Sequence, residues 1–183
     1  MLAGIALVKN IICYEYQSKK KLMLHLKLFK QYVLVLMLIT ASTSVFSETL
    51  IRPFVSGSFS QILEQRQEKP FILVLWSLDC PSCFKELEML GKLSRKYSEL
   101  DIVLVSTDIS ATQDELQTIL TRYKLDNVES WMFSGDSDEH LRYEIDRSWY
   151  GELPRSYFFK PSEKKQVISG LLSEEQLIIW MKH

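Results

Sequence analysis

The stretch WSLDCPSCFKELEML, residues 76–90, places two cysteines three positions apart at a change of pattern. Before them, the residues FILVLW (71–76) form a continuous apolar run, which is typical of a strand buried on both faces. After them, apolar residues recur at spacings of three and four, which predicts a helix with one apolar face. These residues are Phe84, Leu87, Leu90, Leu93 and Tyr97. In α/β sheets, ligands and chemistry usually lie at the carboxyl end of such a strand.

The rest of the chain after residue 50 alternates between patterns typical of strands and patterns typical of helices. Further strands are predicted at residues 51–55, 101–106, 128–133, 155–159 and 165–170. Further helices are predicted at 58–69, 111–124, 136–145 and 173–182, with N-terminal caps at Ser58, Thr112 and Ser173. This order predicts one α/β domain over residues 48–183, with a central mixed sheet flanked by helices on both faces.

The first 47 residues have the order of a secretory signal peptide. The apolar run YVLVLMLIT (32–40) follows two lysines. Val45 and Ser47 fit the small-residue positions of a cleavage site before Glu48, and Ala41 offers an earlier alternative. Because the run is well short of the roughly 20 residues that span a bilayer, a cleaved signal is favoured, with an uncleaved membrane anchor as the alternative. Met23 gives a leader of ordinary proportions and is the better start. We therefore predict a signal peptide or membrane anchor at residues 1–47 and a periplasmic or other extracytoplasmic location.

Charge is distributed unevenly along the chain. The formal net charge is −1, but from Glu48 onward 22 acidic residues face 16 basic ones, a difference of six. A domain that acidic is a poor candidate for neutralising the phosphates of a nucleic acid, and no basic stripe with interleaved aromatic residues occurs in it. The sequence therefore argues against nucleic-acid binding.

Three roles are open to the pair of Cys80 and Cys83. A structural zinc site takes four ligands, but after residue 47 the chain adds only His140 and His183, neither at ligand spacing to another candidate. A structural disulfide stabilises mainly by closing a long loop, by about 3 kcal/mol for a 15-residue loop, and a pair three positions apart closes almost none. The third role is thiol-disulfide exchange, for which an exported chain lies in an oxidising compartment.

Thiol-disulfide exchange needs the features that this position supplies. The attacking species is a thiolate, and the unpaired N–H groups and dipole of a helix N-terminus stabilise it. Cys80 is predicted to lie exposed just before the helix, and Pro81 suits the first turn because its missing N–H costs nothing there. Cys83 is predicted to be more buried and to attack the mixed disulfide that Cys80 forms with a partner. The sequence favours this chemistry, with no cofactor beyond the Cys80–Cys83 disulfide itself.

Over roughly residues 50–183, the sequence resembles the thioredoxin-like fold, and in particular the exported TlpA/ResA/CcmG (DsbE) branch of thiol-disulfide oxidoreductases. A C-x-x-C pair that follows a buried strand, joined to a Gly-x-x-Pro before a late strand, is a specific combination. The features that carry the resemblance are the Trp76 to Cys80 spacing, the CPSC pair, the acid Glu86 three residues beyond Cys83, the strand end with VSTD at 103–108, and GELPRSYFF at 151–159.

The resemblance implies roles for four further residues. Pro154 would be a cis-proline facing the cysteines, which leaves the main chain of Leu153 free to pair with an extended substrate segment. Trp76 would belong to the same substrate-binding site. Glu86 would tune the thiol pKa values or move a proton during exchange, with a solvated helix residue as the equal alternative.

The resemblance also implies a function and its partners. The chain would act as a monomer that reduces disulfides of partner proteins, with electrons from a membrane-embedded thiol donor, and cytochrome c maturation is the best-known task of such proteins. Two alternatives stay open: a disulfide-forming oxidant of the same fold, and a non-catalytic thioredoxin-fold binding, chaperone or metal-binding module. Asp79, whose charge opposes thiolate formation, and the order Pro81–Ser82 between the cysteines depart from the family pattern. They leave the direction of electron flow open.

Four residues outside the motif are interpreted as ordinary packing or surface residues. His140 is interpreted as a surface or helix-packing residue, and Trp131 as a core or loop-packing residue. Trp149 and Tyr150 are interpreted as core or loop-packing residues. Because both directly precede the Gly-x-x-Pro, the alternative for them is to line a groove for the partner.

Overall fold

Over the residues that it describes, the computed structural model forms one six-stranded mixed sheet. The described residues are residue 31 and the ranges 51–67, 69–135 and 137–182. The strands are β1 (Arg52–Phe54), β2 (Phe71–Trp76), β3 (Ile102–Ser106), β4 (Glu129–Phe133), β5 (Arg155–Phe159) and β6 (Gln166–Ser169). They lie in the order β1-β4-β3-β2-β5-β6. The first four strands pair in parallel, β5 is antiparallel to β2, and β6 is antiparallel to β5.

Within the same described ranges, five helices cover the two faces of the sheet. They are α1 (Ser58–Gln65), α2 (Pro81–Lys96), α3 (Gln113–Arg122), α4 (Asp138–Ile145) and α5 (Glu174–Lys182). One apolar cluster joins Val74 of β2 to α2, α3 and α5, and a second joins Leu73 of β2 to α1 and α4. Successive side chains of a strand point to opposite faces, so β2 is apolar at every position because both faces are covered. The predicted fold class is confirmed.

The predicted leader at residues 1–47 lies outside the described residues, apart from residue 31. The signal peptide, the start at Met23 and the domain boundary at Glu48 therefore stay predictions. In the part of the chain that is described, no helix combines the length and the apolar character needed to cross a bilayer.

Two of the three predicted helix caps are confirmed. Thr112 forms a capping box with the third residue of α3, and the Ser173 hydroxyl accepts the N–H of the third residue of α5. The prediction for Ser58 is wrong. Gly57 is the N-cap of α1, with a φ of 86° that a residue without a Cβ adopts easily, and the Ser58 hydroxyl accepts the Val55 N–H instead.

The antiparallel direction of β5 brings a distant part of the chain to the carboxyl end of β2. Leu75 of β2 pairs with Arg155 at the start of β5, and Trp76 pairs with Ser106 at the end of β3. Three connections therefore meet at one edge of the sheet. They are the turn 77–80 after β2, the loop 107–112 after β3, and the loop 146–154 before β5.

The close approach of α2 to the end of α3 requires a glycine at position 91. A Cβ at Gly91 would lie 1.9 Å from the carbonyl oxygen of Tyr123. We expect Gly91→Ala to lower the free energy of unfolding by about 1–3 kcal/mol or more, because the clash outweighs the roughly 1 kcal/mol that alanine gains over glycine in a helix. Urea unfolding measures this change. In the exposed control Lys92→Ala, the unfolding midpoint should hardly move, and a Gly91→Ala protein as stable as the wild type would contradict the packing argument.

Candidate active site

The cysteine pair lies at the first turn of α2, directly after β2. Cys80 and Cys83 form a disulfide with an S–S distance of 2.05 Å. Cys80 is the N-cap of α2, its Sγ accepts the Cys83 N–H at 3.1 Å, and Pro81 occupies the first turn as predicted. The Ser82 hydroxyl lies 3.6 Å from the same sulfur and donates to it, because the sulfur in a disulfide carries no proton. Two donors of the helix N-terminus therefore point at Cys80.

The predicted difference in burial between the two cysteines holds in direction, but the predicted exposure of Cys80 is wrong. Cys83 is fully buried, and Cys80 is only 9% exposed. The reason is that the Cys80 sulfur is bonded to Cys83 and both belong to the apolar cluster beneath α2. The exposed surface of the pair is therefore a small part of Cys80.

A hydrogen-bond network that the sequence analysis did not predict supports the turn before Cys80. The Asp108 carboxylate accepts the Ser77 hydroxyl at 2.8 Å, the Leu78 N–H at 2.9 Å and the Ser106 hydroxyl at 2.6 Å. The Ser77 hydroxyl oxygen also accepts the Asp79 N–H at 3.1 Å. The signal in the sequence was the polar end of β3 in VSTD, at the edge of the sheet where function is expected. The network joins the loop after β3 to the turn after β2.

Glu86 is a buried carboxyl and not a solvated helix residue, so that alternative is wrong. Its side chain is fully buried on the face of α2 that also carries Cys83, one turn away. It accepts the Ser156 hydroxyl at 2.6 Å and the Leu172 N–H at 3.0 Å. Burial raises the pKa of Glu86, and these two hydrogen bonds oppose the rise without cancelling it. The helical pattern hid this burial because only tertiary contacts with β5 and the segment after β6 cover the residue.

The main chain of Leu153, two residues before the start of β5, has unused hydrogen-bonding groups. The Leu153–Pro154 peptide bond is cis, as predicted. Pro154 immediately precedes β5, whose first residue pairs with Leu75 near the end of β2. Among the described residues, none forms a hydrogen bond with the main chain of Leu153. The Leu153 N–H and C=O are thus both available for a hydrogen bond.

A buried arginine that the sequence analysis did not single out fixes the loop before Pro154. Arg155 is 6% exposed, and its guanidinium donates to Glu152, Asp146, Ser169 and the hydroxyl of Tyr157 at 2.5–3.2 Å. Because two of these acceptors lie in the loop and two lie in β5 and β6, the loop is tied to the sheet. Nothing periodic in the sequence marks such a cluster, since its members meet only in the folded chain.

The predicted aromatic residues fall into two groups. Trp76 is 2% exposed and packs in the cluster beneath α2, so its side chain has almost no surface to offer a substrate. Trp131 and Trp149 are buried, which agrees with packing roles. Tyr150 is 90% exposed, so the packing interpretation is wrong for it. The Tyr150 N–H is held by the Glu152 carboxylate at 3.2 Å, which leaves the ring to project from a fixed loop.

His140 lies on the surface of α4, where its Nε2 is 3.2 Å from the Glu144 carboxylate. His183 lies outside the described residues. In the described ranges, no group of three or more His, Cys, Asp or Glu side chains is placed to hold a metal ion.

Comparison with known proteins shows a likeness of structure. No protein-family model and no curated protein matches the sequence. A secreted disulfide oxidoreductase from Mycobacterium tuberculosis, homologous to E. coli DsbE, matches with a TM-score of 0.52 at 19% identity, over 65% of this chain and 84% of that chain. A thioredoxin-related protein from Neisseria meningitidis matches with a TM-score of 0.52 at 22% identity, over 66% and 87% of the two chains.

A thiol:disulfide interchange protein of the thioredoxin family from Chlorobium tepidum also matches, with a TM-score of 0.52 at 15% identity, over 66% of this chain and 82% of that chain. Likeness at this level of identity is evidence of fold. It confirms the predicted thioredoxin-like fold, in which the cysteine pair follows the central strand β2.

The raised pKa of Glu86 predicts how stability changes with pH. In the folded protein the pKa of Glu86 lies above the ordinary carboxyl value of 4.5, so Glu86 keeps its proton to a higher pH than it does in the unfolded chain. Its contribution to the free energy of unfolding is therefore complete below pH 4.5. It is lost as pH rises through the folded pKa. Glu86→Gln can keep both hydrogen bonds but carries no charge, so we expect wild type to lose stability relative to this variant as pH rises above the ordinary carboxyl pKa of 4.5.

Urea unfolding of the two proteins across that pH range measures the difference. Parallel stability curves would contradict a raised pKa. The control Glu86→Ala leaves the Leu172 N–H and the Ser156 hydroxyl without an acceptor, which costs about 1–3 kcal/mol for each group at every pH.

Proposed function

We propose that this chain is an exported thiol-disulfide oxidoreductase that reduces disulfides of partner proteins. The observation that carries the proposal is the position of the cysteine pair. Cys80 caps α2 at the end of the central strand, and Cys83 lies one turn further on, fully buried. The fold supports the proposal, since similar structures include a disulfide oxidoreductase and a thiol:disulfide interchange protein.

The proposed exchange proceeds in two steps. In the reduced protein, the Cys80 thiolate attacks one sulfur of a partner disulfide, and the second partner sulfur leaves as a thiolate that takes a proton. Cys83 then loses its proton and attacks the Cys80 sulfur of the mixed disulfide. This step closes the Cys80–Cys83 disulfide and releases the first partner sulfur as a second thiol. Two electrons pass to the partner, and a membrane-embedded thiol donor returns two electrons to the pair.

Glu86 is the proposed acceptor of the Cys83 proton. Residues three apart are neighbours on a helix, and both side chains are buried on the same face of α2. Burial raises the pKa of Glu86, so its carboxylate takes up a proton more readily than an exposed glutamate does. The acceptor is thus a carboxyl that stays out of water during the second step.

The loop before β5 is the proposed docking site for the partner. An extended segment of the partner would add a strand by pairing with the free N–H and C=O of Leu153, which presents its sulfur to Cys80. The exposed ring of Tyr150 would contact the same segment, beside a cavity of about 220 Å³ that Trp149 and Arg147 help to line. Aromatic side chains on rigid loops supply large contact areas at a low cost in conformational entropy.

An extracytoplasmic location is part of the proposal. Its support is the signal-like order of residues 1–47 together with the similar structure of a protein described as secreted. Apocytochrome c, whose haem-attachment motif contains two cysteines, is the partner that the family resemblance favours. A peptide with an oxidised C-x-x-C-H motif is the substrate to test, with a C-x-x-C peptide of unrelated flanking sequence for comparison.

The reduction potential decides between a reductant and an oxidant of the same fold. We expect a value near that of thioredoxin, about −270 mV, because the proposed function is donation of electrons. Equilibration of the Cys80–Cys83 pair with glutathione or dithiothreitol buffers measures it. A value near that of DsbA, about −120 mV, would instead support disulfide formation.

Trapping the mixed disulfide tests the proposal directly. In Cys83→Ser, the second step is blocked, so partners should accumulate as mixed disulfides on Cys80 when the variant is expressed in its native envelope. Non-reducing electrophoresis and mass spectrometry identify the adducts. The matched control is Cys80→Ser, which lacks the attacking thiol and should trap none. Adducts on Cys80→Ser alone would reverse the two roles, and their absence from both variants, with no disulfide reduction by the wild type, would refute the function.

Replacement of Tyr150 tests the docking site. We expect Tyr150→Ala to raise KM for a protein disulfide about tenfold, because truncating an interface aromatic commonly costs more than 1 kcal/mol of binding free energy. The rate with oxidised glutathione, which is too small to span the loop, should stay unchanged. Tyr150→Phe keeps the ring and should retain the wild-type KM, as should the control Ile179→Ala on the exposed face of α5. Equal losses with both substrates would contradict a docking role.

A further inference from the structure

The turn between β2 and α2 depends on one side chain, Asp108, from the loop that follows the neighbouring strand β3. Its successive N–H groups at Leu78, Asp79 and Cys80 donate to the Asp108 carboxylate, the Ser77 hydroxyl and the Ser77 carbonyl, respectively. The Ser77 hydroxyl is itself oriented, because it donates its proton to Asp108 at 2.8 Å. Asp108 therefore holds this turn twice, directly through Leu78 and indirectly through Ser77.

Asp108 is in turn fixed to the central sheet. Its carboxylate accepts the Ser106 hydroxyl at 2.6 Å, and its own N–H donates to the same hydroxyl oxygen at 3.2 Å. Ser106 is fully buried at the end of β3 and pairs with Trp76, the last residue of β2. The end of β3 thus sets the geometry of the turn that follows β2.

From this geometry we infer that Asp108 is a positioning residue for Cys80 in the reduced protein. In the oxidised protein, the bond to Cys83 ties Cys80 to α2 covalently. After reduction that bond is absent, and the Cys80 sulfur keeps its place at the helix N-terminus only if the turn is held. The inference rests on the proposed function, since it concerns the thiolate that attacks the partner. It assigns Asp108 no contact with the partner itself.

The consequence differs between the two redox states. A thiolate at the N-cap gains from the Cys83 N–H only while its sulfur stays near the present 3.1 Å. A loosened turn would weaken this contact and so destabilise the reduced, ionised form more than the oxidised form. Destabilising the reduced form makes the reduction potential more negative, the reverse of the effect that makes DsbA a strong oxidant.

Two substitutions of Asp108 separate its contacts from its charge. Asp108→Asn removes the charge but can keep the contacts, with its amide oxygen accepting from Leu78 and Ser106 and its amide nitrogen donating to Ser77. Asp108→Ala removes both. Comparing the two variants with each other therefore isolates the effect of the contacts, because the charge is absent from both.

The measurement is the rate of Cys80 alkylation by iodoacetamide as a function of pH, with the reduced Cys83→Ser background leaving one reactive thiol in the pair. At about pH 7 we expect alkylation of Asp108→Ala to be about tenfold slower than that of Asp108→Asn, with its midpoint at higher pH. A tenfold change in the equilibrium constant between the reduced and oxidised forms corresponds to about 30 mV. With both cysteines present, the reduction potential of Asp108→Ala should therefore be more negative than that of Asp108→Asn by about that amount.

Controls distinguish positioning from a general loss of stability. Asp101, at the other end of β3, binds Arg66 at 2.8 Å, so Asp101→Ala should destabilise the fold without moving the alkylation midpoint. Ser77→Ala removes one link of the network with a small change of volume, and it should slow alkylation less than Asp108→Ala does. The double variant should show no further loss beyond Asp108→Ala, because residues of one network are not additive.

The outcome also separates this inference from the proposed function. Equal alkylation profiles for Asp108→Ala and Asp108→Asn would overturn the positioning role even if the wild type traps partners and reduces disulfides. A tenfold difference would support the positioning role even if no partner were trapped, because iodoacetamide needs no docking site.

Discussion

The central place of β2 in the sheet is the constraint on which the rest of the structure depends. Its six residues are all buried, with β3 on one side, β5 on the other and helices on both faces. A shift of one residue would turn every side chain to the opposite face, and each buried apolar side chain contributes about 1.5–3 kcal/mol. The end of the strand is therefore held firmly. Cys80, Asp108 and Pro154 meet at this edge because each follows or precedes a strand whose register is set by β2.

Two carboxyl groups flank the cysteine pair, one exposed to water and one buried. Asp79 is exposed, so water and salt screen its charge and weaken its opposition to a thiolate at Cys80. Glu86 is fully buried, where burial raises the pKa and each hydrogen bond matters more than it would in water. The buried carboxyl is thus the one whose position in the sequence looks like an ordinary helix position. The departure at Asp79 is less consequential than its charge alone implies.

The sequence predicted those features of the fold that apolar periodicity and local turn chemistry determine. The buried run of β2, the apolar face of α2, the caps at Thr112 and Ser173 and the placement of Cys80 all follow from neighbours along the chain. What it missed depends on side chains that meet across the sheet. Asp108 reaches the turn after β2 from the end of β3, Arg155 ties together two strands and a loop, and Glu86 is covered by Ser156 and Leu172. The partners of Asp108 at the turn after β2 and those of Glu86 lie 30 or more residues away along the chain, so no local pattern contains both members of these contacts.

The order Pro81–Ser82 between the cysteines affects the two redox states unequally. The Ser82 hydroxyl and the Cys83 N–H both point at the Cys80 sulfur, and a donor contributes more to a charged thiolate than to the neutral sulfur of a disulfide. Both donors therefore favour the reduced form and move the reduction potential in the oxidising direction. Nucleophilicity falls as a thiolate is stabilised, so more donors would also slow attack. The negative charge of Asp79, which is exposed and partly screened, acts against the two donors.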